Sequence, residues 1–266
     1  MKVLVIMASP RKGNTYRAAE RIREIMKETA QVDWEYVMLR DLHLEQCRGC
    51  ANCIVKGEEF CPLKDDIADL TQRMHDADGV IFASPVYALQ VTGLMKVFID
   101  RHSYILHRPR FFGKKALILS TAGAVGISDV LKYLESVVHM WGFEVAGKAG
   151  TYEEFIPGTR QQENNQMLRA AAEAFHAALR RKSPPKPRCM DIIGFHGLRA
   201  TFDELDDVFP ADRAYWEEKG WMEKDARYFV DVPVNPVYHA VGVMLEKYQR
   251  RQMRKDSRNT NHGVST

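Results

Sequence analysis

Four of the five cysteines in this 266-residue chain fall in one short segment, Cys47-x2-Cys50-x2-Cys53-x7-Cys61, with Pro62 directly after it. Three of them recur at every third residue. A loop so spaced can aim three thiolates at one centre and bring in the fourth after the Lys56-Gly57 bend. A cubane iron–sulfur cluster needs that donor set. Three other readings stay open on spacing alone: buried thiols that shape a loop, a redox-active thiol pair, or a structural zinc. Zinc fits less well, because its four-thiolate sites usually come from two separated Cys-x2-Cys hairpins. Cys189 stands apart and reads as a thiol with no assigned role.

Three loops carry the other chemistry-bearing residues. Ser9-Pro10-Arg11-Lys12-Gly13-Asn14-Thr15 joins an apolar run to a helical pattern. Hydroxyls and free N–H groups at a helix N-terminus make a phosphate site, and Arg11 can add a charge-assisted contact. The string is neither Gly-x-Gly-x-x-Gly nor a Walker loop. A single terminal phosphate, as on FMN, suits it better than a diphosphate; the alternative is an ordinary capped turn. In Ser84-Pro85-Val86-Tyr87, Pro85 stiffens the backbone and Tyr87 offers an aromatic face. A flat isoalloxazine can lie against such a turn, although a plain strand-to-helix connection reads the same way. In Ser120-Thr121-Ala122-Gly123-Ala124-Val125-Gly126, small residues allow the backbone to approach a ring closely, as in any glycine-rich turn.

The elements that must position these loops follow from periodicity. Val3–Ala8, Gly79–Ala83 and Ala116–Thr121 are short apolar runs that suit strands buried on both faces. Val32–Leu39 alternates and reads as a strand near an edge; Phe143–Lys148 reads as a fifth strand. Helical spacing covers Tyr16–Thr29, a stretch after Asp65-Asp66 to about His75, Gly93–Ser103, Ser128–Trp141 and Gln161–Arg181. Strands alternating with helices imply a doubly wound parallel sheet covered on both faces. Ligands of such folds bind beyond the carboxyl ends of the strands, where all three loops would lie. Ser183-Pro184-Pro185-Lys186-Pro187 is a break. It divides a domain of residues 1–182 from a mainly helical extension of residues 183–266. Pro236–Lys255 is expected to form a basic amphipathic helix, with a disordered tail from about residue 256.

Composition bounds the rest. At 45% hydrophobic and 27% charged, the chain can bury a core. A formal charge of +3 is too small to imply nucleic acid. No apolar run is long enough to cross a bilayer, and no N-terminal signal pattern is seen. A cytoplasmic location is therefore expected, where clustered thiols favour a metal site over disulfides. His102, His107, His196 and His239 read as structural histidines, Asp65 and Asp66 as helix caps, and Asp100-Arg101 as an ion pair. Lys247, Arg250, Arg251, Arg254 and Lys255 read as a solvated face. Tyr215-Trp216 and Trp221-Met222 are apolar enough to pack on the core domain or on a neighbouring subunit.

Together the loops resemble the NADPH-dependent FMN reductase branch of the flavodoxin-like superfamily. The strings are Ser9-Pro10-Arg11 with Gly13-Asn14-Thr15, Ser84-Pro85-Val86-Tyr87 with Thr92-Gly93-Leu94-Met95-Lys96 and Asp100-Arg101, and Thr121-Ala122-Gly123. The resemblance covers roughly residues 1–180 and implies a flavodoxin-like five-stranded sheet. It implies that Ser9, Arg11, Gly13, Asn14 and Thr15 hold the FMN phosphate. Ser84, Pro85, Val86 and Tyr87 would line the flavin, with Thr121, Ala122, Gly123 and Gly126 on its far side. It implies a homodimer or homotetramer. The cysteine loop is similar to that of iron–sulfur flavoproteins, which puts Cys47, Cys50, Cys53 and Cys61 on the positions that ligate a [4Fe–4S] cluster. The implied activity is electron transfer from NAD(P)H or a ferredoxin-like donor to a quinone, a flavin or another small acceptor. No catalytic side chain is implied, since flavin hydride transfer needs no acid or base. The rival readings are a non-enzymatic flavodoxin-like carrier and a flavin-binding interaction protein. A carrier would be expected to be strongly acidic.

Overall fold

The computed structural model describes residues 1–29, 31–153 and 158–263. In chain order its elements are β1 (Lys2–Met7), α1 (Asn14–Lys27), β2 (Asp33–Met38), α2 (Asn52–Val55), α3 (Ile67–Asp76), β3 (Gly79–Pro85) and α4 (Gly93–Arg101). They continue as β4 (Lys115–Ala122), α5 (Ile127–Met140), β5 (Glu144–Tyr152), α6 (Gln161–Arg180), α7 (Cys189–Glu204), α8 (Pro210–Glu218) and α9 (Pro236–Gly263). The chain forms two compact units, Met1–Gly49 with Leu63–Ser183, and Cys50–Pro62 with Pro184–Thr266.

The first unit is built on a sheet in the order β2-β1-β3-β4-β5, with every neighbouring pair parallel. This is the flavodoxin-like doubly wound arrangement that the strand and helix alternation implies. Winding reverses after β2, so β1 and β3 flank the switch point. Val3, Val5 and Met7 face α1 and α6, in one core with Ala19, Ile22, Met26, Ala172 and Phe175. The opposite face carries Phe82, which packs edge-on against Trp141 at 6.1 Å and Phe143 at 5.5 Å between ring centroids. Residues 3–7 and 115–122 are all buried, as expected where helices cover both faces. β5 runs to Tyr152 rather than ending at Lys148. Its pairing with β4 continues to Ala122↔Tyr152, and those ladder bonds hold the weak strand formers Ala149 and Gly150.

α4 ends at Arg101, and His102 follows as its C-cap. His102 is fully buried. Its Nδ1 donates to the Phe98 carbonyl at 2.8 Å, and its Nε2 lies 2.8 Å from the Thr71 hydroxyl of α3. Asp100 pairs with Lys96, and Arg101 pairs with Asp65, rather than with each other. A helix separates side chains at i and i+1 by about 100°, so the adjacent pair cannot face one another.

In the second unit α7 packs on α9, and α2 packs on α8. Trp216 is fully buried. It stacks on Phe195 at 5.5 Å and meets Trp221 edge-on at 5.2 Å. The aromatic residues thus fill a core of their own unit. Glu246 accepts from His196 Nδ1 and Arg199 Nη2, both at 2.5 Å, and from Arg250 Nη2 at 2.8 Å. Burial would raise its carboxyl, but those donors hold it down at about 2. The basic face of α9 is not simply solvated, because Arg250 and Arg254 both reach Glu204. Nor does a tail begin near residue 256: the backbone stays helical through Gly263, and residues 264–266 lie outside the described ones. Extending a helix already formed costs far less than nucleating one, so polar residues can follow.

Burial pushes the His102 imidazole down to about 4, against the raising influence of the Phe98 carbonyl. A depressed folded-state pKa supports the fold above the unfolded value and loses that support as pH falls through the folded one. The window therefore runs from about 6.5 down to about 4, and the linked stability is on the order of 3 kcal/mol. Urea unfolding of His102→Gln is expected to decline less steeply than wild type across that window, whatever its absolute stability. Parallel declines would contradict a buried neutral imidazole.

Candidate functional site

β1, β3 and β4 pair in parallel and end side by side, so the loops that follow them leave from one edge of the sheet. Direct contacts join these loops. Thr15 Oγ1 lies 2.7 Å from Thr121 Oγ1, both residues buried, which ties the start of α1 to the end of β4. The Val86 N–H donates to the Thr121 carbonyl at 2.8 Å. Thr92 caps α4 by accepting from Met95 N at 3.2 Å, and its hydroxyl donates to the Ala8 carbonyl at 3.0 Å.

The first loop folds on itself. Ser9 Oγ donates to the Arg11 carbonyl at 2.7 Å, and the Gly13 N–H donates to the same carbonyl at 2.9 Å. Arg40 Nη1 donates to the Pro10 carbonyl at 2.6 Å. Gly13 is the N-cap of α1 and supplies no side-chain cap, so the first-turn N–H groups face outward with the positive end of the helix dipole. Arg11 is exposed beside them. This end of α1 can accept an anion. Asn14 also lies there, its carbonyl oxygen accepting from Arg17.

The second loop is a tight hairpin. Tyr87 and Gln90 exchange backbone hydrogen bonds at 2.8 and 3.0 Å, around Ala88 and Leu89 at φ 47° and 66°. Tyr87 and Leu89 are left exposed. Ser84 is fully buried, and its hydroxyl bridges the Pro85 carbonyl and the Thr92 N–H at 3.0 and 3.2 Å. The third loop meets the hairpin at Gly126, where φ is 92°. A Cβ there would lie 2.7 Å from Val86 Cγ1 and 3.2 Å from Leu89 Cα. Glycine therefore keeps open the approach between the two loops. Gly123, Ala124 and Val125 are exposed before it. Apolar and small residues from two loops and an anion-accepting helix end thus share one edge. That set fits a planar ring carrying a phosphate. Beside the hairpin a shallow groove of about 550 Å³ is lined by Leu89, Gln90, Asp129, Lys132, Tyr133 and Ser136.

The cysteines sit on backbone that turns repeatedly, with positive φ at Gly49, Ala51 and Gly57. Cys47 and Cys50 are exposed, and the Cys47 Sγ accepts from the Gly49 N–H at 3.5 Å. Cys53 lies in the single turn of α2, and Cys61 follows a 3-10 turn at Glu58–Phe60; both are half-buried. The five cysteines form no disulfide. Among the described residues no three His, Cys, Asp or Glu side chains converge as a metal-binding group. The four thiols fit an iron–sulfur cluster as a donor set, without being closed around a common centre.

Sequence reasoning placed Thr92 in a matching string but passed over its capping role, although its position directly before Gly93-Leu94-Met95 has the form of a helix N-cap. It also missed the Arg101–Asp65 pair. Their separation of 36 residues leaves no local signal.

Residues 1–153 match the family model described as NADPH-dependent FMN reductase. An iron–sulfur flavoprotein of Archaeoglobus fulgidus is 33% identical over 229 residues, spanning 84% of this chain and 100% of that protein. One from Clostridioides difficile is 28% identical over 232 residues, spanning 83% and 99%. Among solved structures, an NADH:FMN oxidoreductase covers 69% of this chain and 91% of its own, at 22% identity and a TM-score of 0.52. RosB covers 88% and 92%, at 16% identity and a TM-score of 0.55. These two share the fold. The three loops at one sheet edge, the family match across the whole sheet and the full-length relatives agree: the chain belongs to the NADPH-dependent FMN reductase family, alongside the iron–sulfur flavoproteins.

Proposed function

We propose that the chain is an FMN-dependent oxidoreductase that passes electrons from NAD(P)H or a ferredoxin-like donor to a small acceptor such as a quinone or a flavin. The observation that carries this reading is the convergence of three loops on the carboxyl edge of β1, β3 and β4. Arg11, Gly13, Asn14 and Thr15 would hold the phosphate, with Ser9 shaping their loop. Pro85, Val86 and Tyr87 would line the ring, with Ser84 fixing the turn. Thr121, Ala122, Gly123 and Gly126 would border its other side. FMN, when bound, supplies both hydride and single-electron chemistry. The protein's part is to bind, to orient and to limit access. The exposed Tyr87 and Leu89 stand where an acceptor would approach. Cys47, Cys50, Cys53 and Cys61 would hold a [4Fe–4S] cluster, which supplies one-electron exchange. A homodimer or homotetramer belongs to the same reading.

FMN is expected to bind more tightly than FAD, and equal affinities would contradict a single-phosphate site. Arg11→Ala is expected to weaken FMN binding by about tenfold, the loss of one charge-assisted contact, with folding unchanged. Unchanged affinity would place the phosphate elsewhere. Gly126→Ala is expected to destabilise the protein by about 1–3 kcal/mol, through a strained positive φ and a crowded Val86, and to weaken FMN further than Arg11→Ala does. Gly126→Ala at wild-type stability and affinity would contradict the close loop approach.

Protein prepared anaerobically is expected to hold about four irons and four sulfides per chain. Cys50→Ser is expected to remove the iron and leave the FMN. Iron-free wild type with full FMN would leave the cysteines as loop structure. Steady-state NAD(P)H oxidation with added quinone separates an enzyme from a carrier, and no turnover would favour the carrier.

A further inference from the structure

Arg101 and Asp65 form a buried ion pair in the first unit, their side chains 2% and 0% exposed. Arg101 Nη1 reaches both Asp65 Oδ2 and, at 3.1 Å, the Glu45 carbonyl; its Nη2 donates to Asp65 Oδ1 at 3.1 Å. Asp65 Oδ2 also accepts from the Glu45 N–H at 2.8 Å. One step further out the pattern repeats. The His43 N–H donates to Asp66 Oδ2 at 2.7 Å, and the Asp66 N–H donates to the His43 carbonyl at 3.1 Å. Residues 43–45 and 65–66 are the two stems of the segment that carries Cys47 and Cys61. Asp66, the N-cap residue of α3, makes no side-chain cap bond, whereas Asp65 Oδ1 accepts from the Ile67 N–H of the first turn at 3.4 Å.

We propose that Arg101 and Asp65 are positioning residues for the cysteine loop, a clamp that fixes its two stems so that a four-thiolate cluster can assemble between them. The proposal rests on the iron–sulfur part of the function above. The guanidinium is a rigid fork, able to hold a carboxylate and a backbone carbonyl together; lysine, with one nitrogen, cannot span both in that geometry. A buried ion pair is a poor way to stabilise a core, because desolvation offsets most of the attraction. Here both members also satisfy backbone groups of the loop stems, which an apolar pair would leave unpaired. Arg101 is the last residue of α4. The same helix is capped by Thr92, whose hydroxyl donates to the carbonyl of Ala8, directly after β1 at the loop-bearing edge. The clamp thus refers the cysteine stems to the sheet that carries the three loops. Pinning the stems removes much of the closure entropy that bringing Cys61 towards Cys47 would otherwise cost.

The test uses full-length Asp65→Asn and Arg101→Lys, purified anaerobically and reconstituted with iron and sulfide alongside wild type. Iron per bound FMN is expected to fall at least about threefold in both, with FMN per chain unchanged. Hydrogen exchange is expected to accelerate about tenfold in peptides covering residues 43–49 and 63–67, while β1 and β3 stay protected. Any residual reduced cluster should give an altered EPR line shape. Wild-type iron content in both variants, or faster exchange through the whole sheet with loss of FMN, would overturn the clamp. If wild type itself takes up no iron, the cluster reading fails. The clamp is then judged on exchange and on alkylation of Cys47 and Cys61 by iodoacetamide, and local acceleration in the variants supports it while unchanged rates overturn it.

Discussion

Parallel pairing of β1 with β3 and of β3 with β4 is the constraint on which the rest depends. Because the strands run the same way in register, Met7 lies beside Ala83, and Pro85 beside Thr121. Three loops far apart in sequence must then emerge together. Hydrogen bonds at the strand ends refine what the pairing begins, through Thr15 with Thr121, Val86 with Thr121, and Thr92 with Ala8. Each is worth about 1 kcal/mol, small beside the burial of the strands. Their contribution is position: they hold the anion-accepting end of α1 beside the glycine-rich turn after β4.

The sheet can serve this way because its two faces are sealed. α1 and α6 cover one face, and the aromatic layer of Phe82, Phe98, Trp141 and Phe143 fills the other. His102 lies in that second layer as a neutral imidazole, bonded between α3 and α4. Its role is to satisfy polar groups inside an apolar layer. The family match covers this first sheet-bearing part of the chain, and the longer relatives continue beyond it.

What could be read from residues and what could not divides along physical lines. The doubly wound parallel sheet and the three loops were legible because apolar runs of β-branched residues alternate with helical spacing, and because loops after parallel strands share one edge. β5 was read short, since Ala149, Gly150 and Thr151 form strand only through their pairing with β4. Arg101 was assigned to its neighbour Asp100, because a linear string offers the nearest opposite charge and hides Asp65. Trp216 and Trp221 signalled burial correctly, but not where; their partners Phe195 and Phe229 lie on either side of them in sequence, within the same unit. The cysteine spacing states which donors are present. The path of the loop, with its left-handed turns at Gly49, Ala51 and Gly57, comes only from the three-dimensional chain.

The measurement that bears most directly on the central claim is a crystal structure of the full chain with FMN. The phosphate is expected at the N-terminal turn of α1, within hydrogen-bond reach of residues 11–15. The ring is expected between residues 84–87 and 121–126. A ring bound away from the carboxyl edge of β1, β3 and β4, or a phosphate held by another element, would contradict it.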